Sequence, residues 1–227
     1  MPGRISVIVP VLNEEKGIGA TLTALAALAP DEVIVVDGGS ADRTREISAQ
    51  SGALVECSVA GRAAQMNAGA RRANGDILLF LHADTTLPPS AFDDIRGALA
   101  DRQKVGGRFD VELKGNHPML RVIGVMINRR SRLTRVGTGD QAIFVRRNVF
   151  AAMGGFPEIP LMEDVAFCRA LKQRGGVACL HSRVTTSARR WEVEGVWRTI
   201  VKMWLLKLLY LAGVPPAMLK RFYADAR

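Results

Sequence analysis

Apolar and polar positions over the first hundred residues fall into two alternating textures. Short unbroken apolar runs at residues 5–10, 33–36, 54–57 and 77–81 are bounded by turn residues, the pattern of strands buried on both faces. Between them lie helical patterns, as at residues 18–28 and in the segment that follows Gly61 and breaks at Asn74-Gly75. This alternation predicts a parallel sheet covered on both faces by helices. Ser40 is placed to cap a helix starting at Ala41-Asp42. Ser90 and Asp93 have capping-box spacing before a helix reaching residue 99, and Asn148 is placed to cap a short helix ending at Gly154-Gly155.

Beyond residue 100 the texture changes. Residues 108–113 alternate strictly, with Phe109, Val111 and Leu113 on one side and Arg108, Asp110 and Glu112 on the other, which predicts a half-exposed strand. Residues 118–127 read as a helix. The basic segment 128–135 then leads into Gly137-Thr138-Gly139-Asp140-Gln141, a predicted flexible loop before a strand over 142–146. Glu163 and Asp164 fall at the amino end of a helix over 165–174, where the helix dipole favours carboxylates. Residues 177–180 and 184–186 read as two short strands. Residues 196–212 are apolar, but Arg198, Lys202 and Lys207 argue against a membrane span. Two readings stay open for that stretch: a core or homodimer helix, or an interfacial helix whose lysines meet anionic lipid headgroups.

Composition narrows the partners. A chain of 227 residues fits one domain, or one with an appendage, and its net charge of +9 points to an anionic partner. A nucleic acid is disfavoured, because only 6% of residues are aromatic and no basic run is interleaved with them. A phosphorylated small molecule and an anionic membrane face remain. Cys57, Cys168 and Cys179 are odd in number and widely spaced, so they read as small buried hydrophobes in a reducing compartment. The first residues run straight into an apolar strand without a signal-peptide pattern. The expected location is cytoplasmic, with the inner face of the cytoplasmic membrane as the alternative.

The chemistry concentrates in residues 61–84, which end in His82, Ala83 and Asp84 at the carboxyl end of the fourth strand. Ligands of open α/β sheets bind outside such ends, so Asp84 is a candidate for metal or phosphate work; its other reading is a turn cap.

Val9-Pro10-Val11-Leu12-Asn13-Glu14, Val35-Val36-Asp37-Gly38-Gly39-Ser40, the 61–84 block, Gly155-Phe156 and Glu163-Asp164 occur in that order. Together they resemble the family 2 glycosyltransferases, over nearly the whole chain, and the 61–84 block is similar to a small bacterial subfamily of them. The resemblance implies a GT-A type, Rossmann-like open and mostly parallel α/β sheet over residues 1–190. Residues 1–100 would be its nucleotide-binding half and 101–190 its acceptor half, with a C-terminal amphipathic helical segment over 191–227.

It further implies a UDP- or GDP-linked sugar donor, Mn²⁺ or Mg²⁺, and inversion at the anomeric carbon. Glu14 and Asp37 match positions facing the nucleoside, Asp84 matches the metal-ligating Asp of a D-x-D element, and Asp164, beside Glu163, matches the general base. Pro10, Asn13, Gly38, Asn67, His82 and Ala83 lie in the matched segments and fall to the donor. Arg62, Arg189 and Arg190 are candidates for its diphosphate, because guanidinium groups bind phosphate bidentately. Asp140, Gln141 and Trp191 fall to an acceptor, which in many relatives is lipid-linked.

Three departures stand out: Gly38 replaces the second Asp of a D-D-G-S element, His82 the first Asp of D-x-D, and Ser187 the Gln of Q-x-x-R-W. The second leaves one clear carboxylate for a metal, with His82 as a nitrogen ligand or a hydrogen-bonding group. The third argues against a processive polymerase. A nucleotide-dependent dehydrogenase is disfavoured because residues 11–14 lack G-x-G-x-x-G. The rival from another class is a non-catalytic nucleotide-sugar-binding or membrane-associated scaffold.

Overall fold

The strand β1 (Ile5–Val11) lies between two parallel neighbours, β2 (Glu32–Asp37) and β4 (Ile77–Phe80), and β3 (Leu54–Cys57) adds in parallel beyond β2. The computed structural model describes residues 3–223, apart from the side chain of Arg190. Successive side chains of a strand point to opposite faces, and in β1 both faces are buried. Ile5, Val7 and Val9 join an apolar cluster with Leu22, Leu25 and Ile95, whereas Ile8 joins another with Met66, Phe150 and Phe167. The first face carries α1 (Ile18–Ala26) and α4 (Ala91–Ala100); the second carries α3 (Arg62–Arg72), α6 (Arg147–Ala152) and α7 (Glu163–Leu171). The short α2 (Thr44–Gln50) packs beside α1. At Gly69 in α3 a Cβ would come within 2.5 Å of the Ile8 side chain, so only glycine lets that helix settle directly on β1.

The expected parallel order holds for this half and changes in the next. The eight strands run β3-β2-β1-β4-β7-β6-β8-β5, with β5 (Thr85–Thr86), β6 (Lys104–Lys114), β7 (Ile143–Arg146) and β8 (Gly176–Ser187). β7 is antiparallel to both β4 and β6, β8 is parallel to β6, and β5 is antiparallel to β8. The two short strands predicted over 177–186 are one continuous strand. Residues 128–135, predicted as a link to a loop, continue the helix α5 (Met119–Thr134) for most of their length.

The predicted half-exposed strand keeps Glu112 exposed but buries the other two charged residues of its polar side. Arg108 is 1% and Asp110 7% exposed, because Asp110 accepts hydrogen bonds from Arg108 at 2.5 Å and from Arg132 of α5 at 2.6 Å. The alternation is real, but Arg132 of α5 reaches Asp110, and pairing makes burial of Arg108 and Asp110 tolerable. Three predicted caps also fail. The Ser40 hydroxyl turns back to Asp37, that of Ser90 donates to Asp94 at 2.7 Å, and Asn148 lies inside α6 rather than before it. Cys168 is buried, with burial pushing its thiol up to about 12, whereas Cys57 is exposed, contrary to expectation.

After β8 the chain forms α8 (Arg189–Glu194), α9 (Val196–Leu211) and α10 (Pro216–Lys220). This segment is bound into the body: Val196 enters the first apolar cluster, and Leu206, Leu219 and Tyr223 enter the second. Among the described residues no helix is long and apolar enough to cross a membrane.

Candidate active site

A cavity of about 480 Å³ opens where the carboxyl ends of β1 and β4 meet α7 and α9. Residues at and just beyond the end of β1 (Pro10, Leu12, Glu14) form one side, His82, Ala83 and Asp84 the floor beyond β4, and Glu163 and Asp164 the start of α7. The site thus lies where an open α/β sheet places ligands.

The carboxylates at the start of α7 are held by strained backbone. Met162, just before the helix, has φ of 67° and ψ of 21°, a left-handed conformation that costs a residue with a side chain about 1–2 kcal/mol. Asp164 accepts a hydrogen bond from the Val165 N–H at 2.6 Å and another from the Gly139 N–H at 2.7 Å. Both fix its orientation while leaving lone pairs directed elsewhere. Glu163 is 5% exposed, and burial, reinforced by the Asp164 charge, raises its carboxyl above the usual range despite Arg62 at 3.9 Å.

Asp84 is exposed and lines the cavity, with only long contacts of 3.4 Å to the Thr85 and Thr186 hydroxyls. His82 differs. Its Nδ1 lies 3.3 Å from Asp140, and its Nε2 fills the space where a side chain at Gly139 would begin. Burial alone would lower its pKa, but the hydrogen bond and charge of Asp140, with the Asp84 charge, outweigh this and raise it. The Nδ1 side of the ring faces Asp140 of the 137–141 loop, as the hydrogen-bonding role expects. β4 ends at Phe80, so strand alternation does not carry His82 and Asp84 to a common side.

One carboxylate still suits a hard divalent ion. Mg²⁺ and Mn²⁺ bound with a nucleotide diphosphate take most of their ligands from phosphate and water, and Asp84 is an exposed, weakly engaged carboxylate on the cavity floor.

Four residues expected at ligands are occupied by the fold. Asn13 holds a left-handed turn (φ 53°) and its side chain accepts from the Ala41 N–H at 2.9 Å. Asn67 pairs with both backbone groups of Phe156, at 2.9 and 2.8 Å. Asp37 is 1% exposed and spends its carboxylate on the turn after β2, accepting from the Gly39 and Ser40 N–H groups at 3.0 Å. Gln141 is fully buried; its amide donates to the Phe109 carbonyl at 3.1 Å and the Ser131 hydroxyl at 3.0 Å, so it braces the 137–141 turn. Asp140 is exposed at the cavity, Trp191 is half-buried in its wall, and Arg189 lies 3.9 Å from Glu14. The Arg190 side chain lies outside the described residues.

Gly38 has a physical explanation the sequence did not reveal. A Cβ there would fall 2.9–3.0 Å from the Gln65 amide, which donates to the Val11 and Val36 carbonyls at 2.7 and 2.8 Å. Gln65 lines the cavity and takes the space a second Asp would need. Gly38→Asp should therefore destabilise the protein by about 1–3 kcal/mol through overpacking and displaced hydrogen bonds. Urea unfolding of Gly38→Asp, Gln65→Ala and the double variant should show non-additive losses; strict additivity would break the link.

Two basic residues were missed. Arg130 of α5 and Lys207 of α9 line the same cavity. The signal was present: Arg130 continues the Ile123–Ile127 stripe and Lys207 the Ile200–Met203 stripe at helical spacing, charges where an apolar face was due.

The family model described as Glycosyl transferase family 2 matches residues 6–154. An undecaprenyl-phosphate 4-deoxy-4-formamido-L-arabinose transferase of Pectobacterium carotovorum subsp. carotovorum (strain PC1) is 28% identical over 167 residues, 66% of this chain and 50% of that protein. A probable glycosyltransferase, YdaM, of Bacillus subtilis (strain 168) is 25% identical over 217 residues, 84% of this chain and 51% of that one. The chain thus spans about half the length of these curated relatives. Among solved structures, glucosyl-3-phosphoglycerate synthase from Mycobacterium tuberculosis, crystallised with Mn²⁺, UDP and glucosyl-3-phosphoglycerate, superposes with a TM-score of 0.65 at 21% identity, covering 94% of this chain and 81% of that chain. This last likeness is one of fold.

Proposed function

The chain belongs to glycosyl transferase family 2, and from that premise we propose that it is an inverting glycosyltransferase moving a sugar from a nucleoside-diphosphate donor to an acceptor in a single displacement. The observation that carries the proposal is the presence of Asp84 and Asp164 on one cavity at the carboxyl ends of β1 and β4. Nothing in a purely structural wall requires an exposed carboxylate on the floor and a second one oriented by two backbone N–H groups.

The residues divide the work. Arg62 and Arg189, each loosely paired with a carboxylate at 3.9 Å, are placed to exchange that partner for the donor's diphosphate. Asp84 would hold Mn²⁺ or Mg²⁺ together with the diphosphate. Such an ion, when bound, supplies positive charge to the leaving oxygens. The acceptor oxygen forms a bond to the anomeric carbon while the carbon–oxygen bond to the diphosphate breaks, its electron pair staying with the leaving oxygen. Asp164 takes the acceptor's proton. Gly139 and Val165 keep that carboxylate aimed, and Glu163 sits buried beside it with Arg62 at 3.9 Å.

A lipid-linked acceptor and attachment to an anionic membrane face fit the exposed apolar face of α9, which reaches the cavity at Trp197 and Trp204. Trp197, Val201, Trp204 and Leu208 are 59–66% exposed there, and Arg198 lies among them.

A thermal-shift screen of UDP- and GDP-sugars with and without Mn²⁺ tests the proposal. A true donor at 100 times its Kd should stabilise the protein by about 2.7 kcal/mol, roughly 5–10 °C for a chain of this size, and only with the metal. No shift with any donor would favour a scaffold with no nucleotide-sugar site.

A further inference from the structure

Arg130 and Lys207 arise from the chain after β6, whereas the residues assigned to the donor come from β1, α3, β4 and α8. The Nε and Nη2 atoms of Arg130 are buried and have no hydrogen-bond partner, and neither residue makes an ion pair among the described residues. Burying charge costs several kcal/mol per ion, and the two cations share one cavity wall with no carboxylate within ion-pair distance among the described residues, Asp164 acting on both only through its longer-range charge. The adjacent carboxylate, Asp164, is already engaged by two backbone N–H groups. Around the pair the wall is apolar, from Ile127 of α5 to Met203 and Trp204 of α9.

We propose that Arg130 and Lys207 bind a phosphate monoester carried by the acceptor, the guanidinium by two parallel hydrogen bonds and the ammonium as a point charge. The word acceptor rests on the transferase reading above; the anion site itself does not. A phosphate satisfies the Arg130 donors, cancels the mutual repulsion of the two cations, and anchors the acceptor beside Asp164. The electrostatics agree. Burial, with the charge of Arg130 on α5, depresses Lys207 to about 8, opposed by Asp164 on α7. Burial likewise lowers Arg130, against the pull of Asp164 and Asp140. Because Lys207 titrates lower in the folded than in the unfolded chain, its cost to stability is fully present below pH 8 and is relieved as pH rises from about 8 towards 10.5.

Calorimetric titration of the full chain with glycerol 3-phosphate, and with farnesyl phosphate in non-ionic detergent micelles, tests the site and separates a soluble source from a lipid one. Wild type should bind at least one probe, and Lys207→Met and Arg130→Met should each weaken it about 10- to 100-fold. Arg130→Lys, which keeps the charge but not the fork, should fall between. Affinity should decline as pH rises through the Lys207 titration. Without probe, Lys207→Met should melt no lower than wild type, which separates lost binding from lost folding. Binding of neither probe, equal binding by wild type and variants, or displacement of a bound probe by UDP with Mn²⁺ would overturn the assignment. Probe binding without any donor binding would keep the anion site and sink the transferase reading instead.

Discussion

Asp164→Asn is expected to lower transfer by about 10²- to 10⁴-fold while leaving donor and Mn²⁺ affinity near wild type. The substitution keeps the shape of the side chain and removes the charge that accepts the acceptor's proton. One contact will be remade at a cost. The Gly139 and Val165 N–H groups both point at carboxylate oxygens, and an amide can accept only one of them through oxygen while its NH₂ faces the other. The 137–141 turn should therefore loosen slightly, so the assay needs saturating acceptor to isolate the chemical step. Glu163→Gln is expected to cost less, since that residue is only 5% exposed and faces Arg62, which leaves it less open to an acceptor than Asp164. Equal turnover for wild type and Asp164→Asn would place the base elsewhere. A loss below about tenfold, confined to acceptors whose own phosphate oxygen attacks, would make Asp164 an orienting group, because such a nucleophile carries no proton to remove.

The first hundred residues were legible because their signals are local. Four apolar runs bounded by turn residues mark β1 to β4, and the period of two with both faces buried is visible in Ile5, Val7 and Val9 against Ile8. The second half hid its geometry in long-range pairing. Residues 108–113 carry the alternation of a half-exposed strand, and Arg132 arriving from α5, with Arg108 two residues away, makes Asp110 a buried, paired charge. A capping residue is equally ambiguous in one dimension: the Ser40 hydroxyl had Asp37 within reach and took it in preference to a helix terminus.

Site residues divide along the same line. Glu14, Asp84, Glu163 and Asp164 are found on the cavity because position at a strand end or helix start determines where they point. Asn13, Asn67 and Gln141 have the right chemistry, but each has a nearer backbone partner, and for the buried Asn67 and Gln141 an amide without one would cost about 1–3 kcal/mol. Gln65 and Arg130 were hidden for the opposite reason. Their importance depends on what another element omits: a side chain at Gly38 in one case, a counter-charge in the other.

Asp84→Asn should remove metal-dependent donor binding, weakening the affinity for UDP in Mn²⁺ by at least about 100-fold, the upper end of what loss of a supporting residue alone costs a metal site. The fold should tolerate the change. Asp84 is exposed and its side chain makes only two contacts of 3.4 Å, so stability should stay within about 0.5 kcal/mol of wild type. The sign of the effect without metal is the sharper test. In chelator the wild-type carboxylate faces the donor's diphosphate with no cation between them and repels it, so Asp84→Asn should bind UDP no worse than wild type and slightly better at low ionic strength. A merely structural Asp84 predicts the same loss in both conditions. His82→Ala should be the milder variant in Mn²⁺, because its Nδ1 is engaged by Asp140 at 3.3 Å. Calorimetry of the three proteins with UDP, in Mn²⁺ and in chelator, decides the matter. Undiminished Mn²⁺-dependent affinity in Asp84→Asn would remove the metal from this carboxylate, and a loss in His82→Ala as large as that in Asp84→Asn would restore the imidazole as a direct ligand.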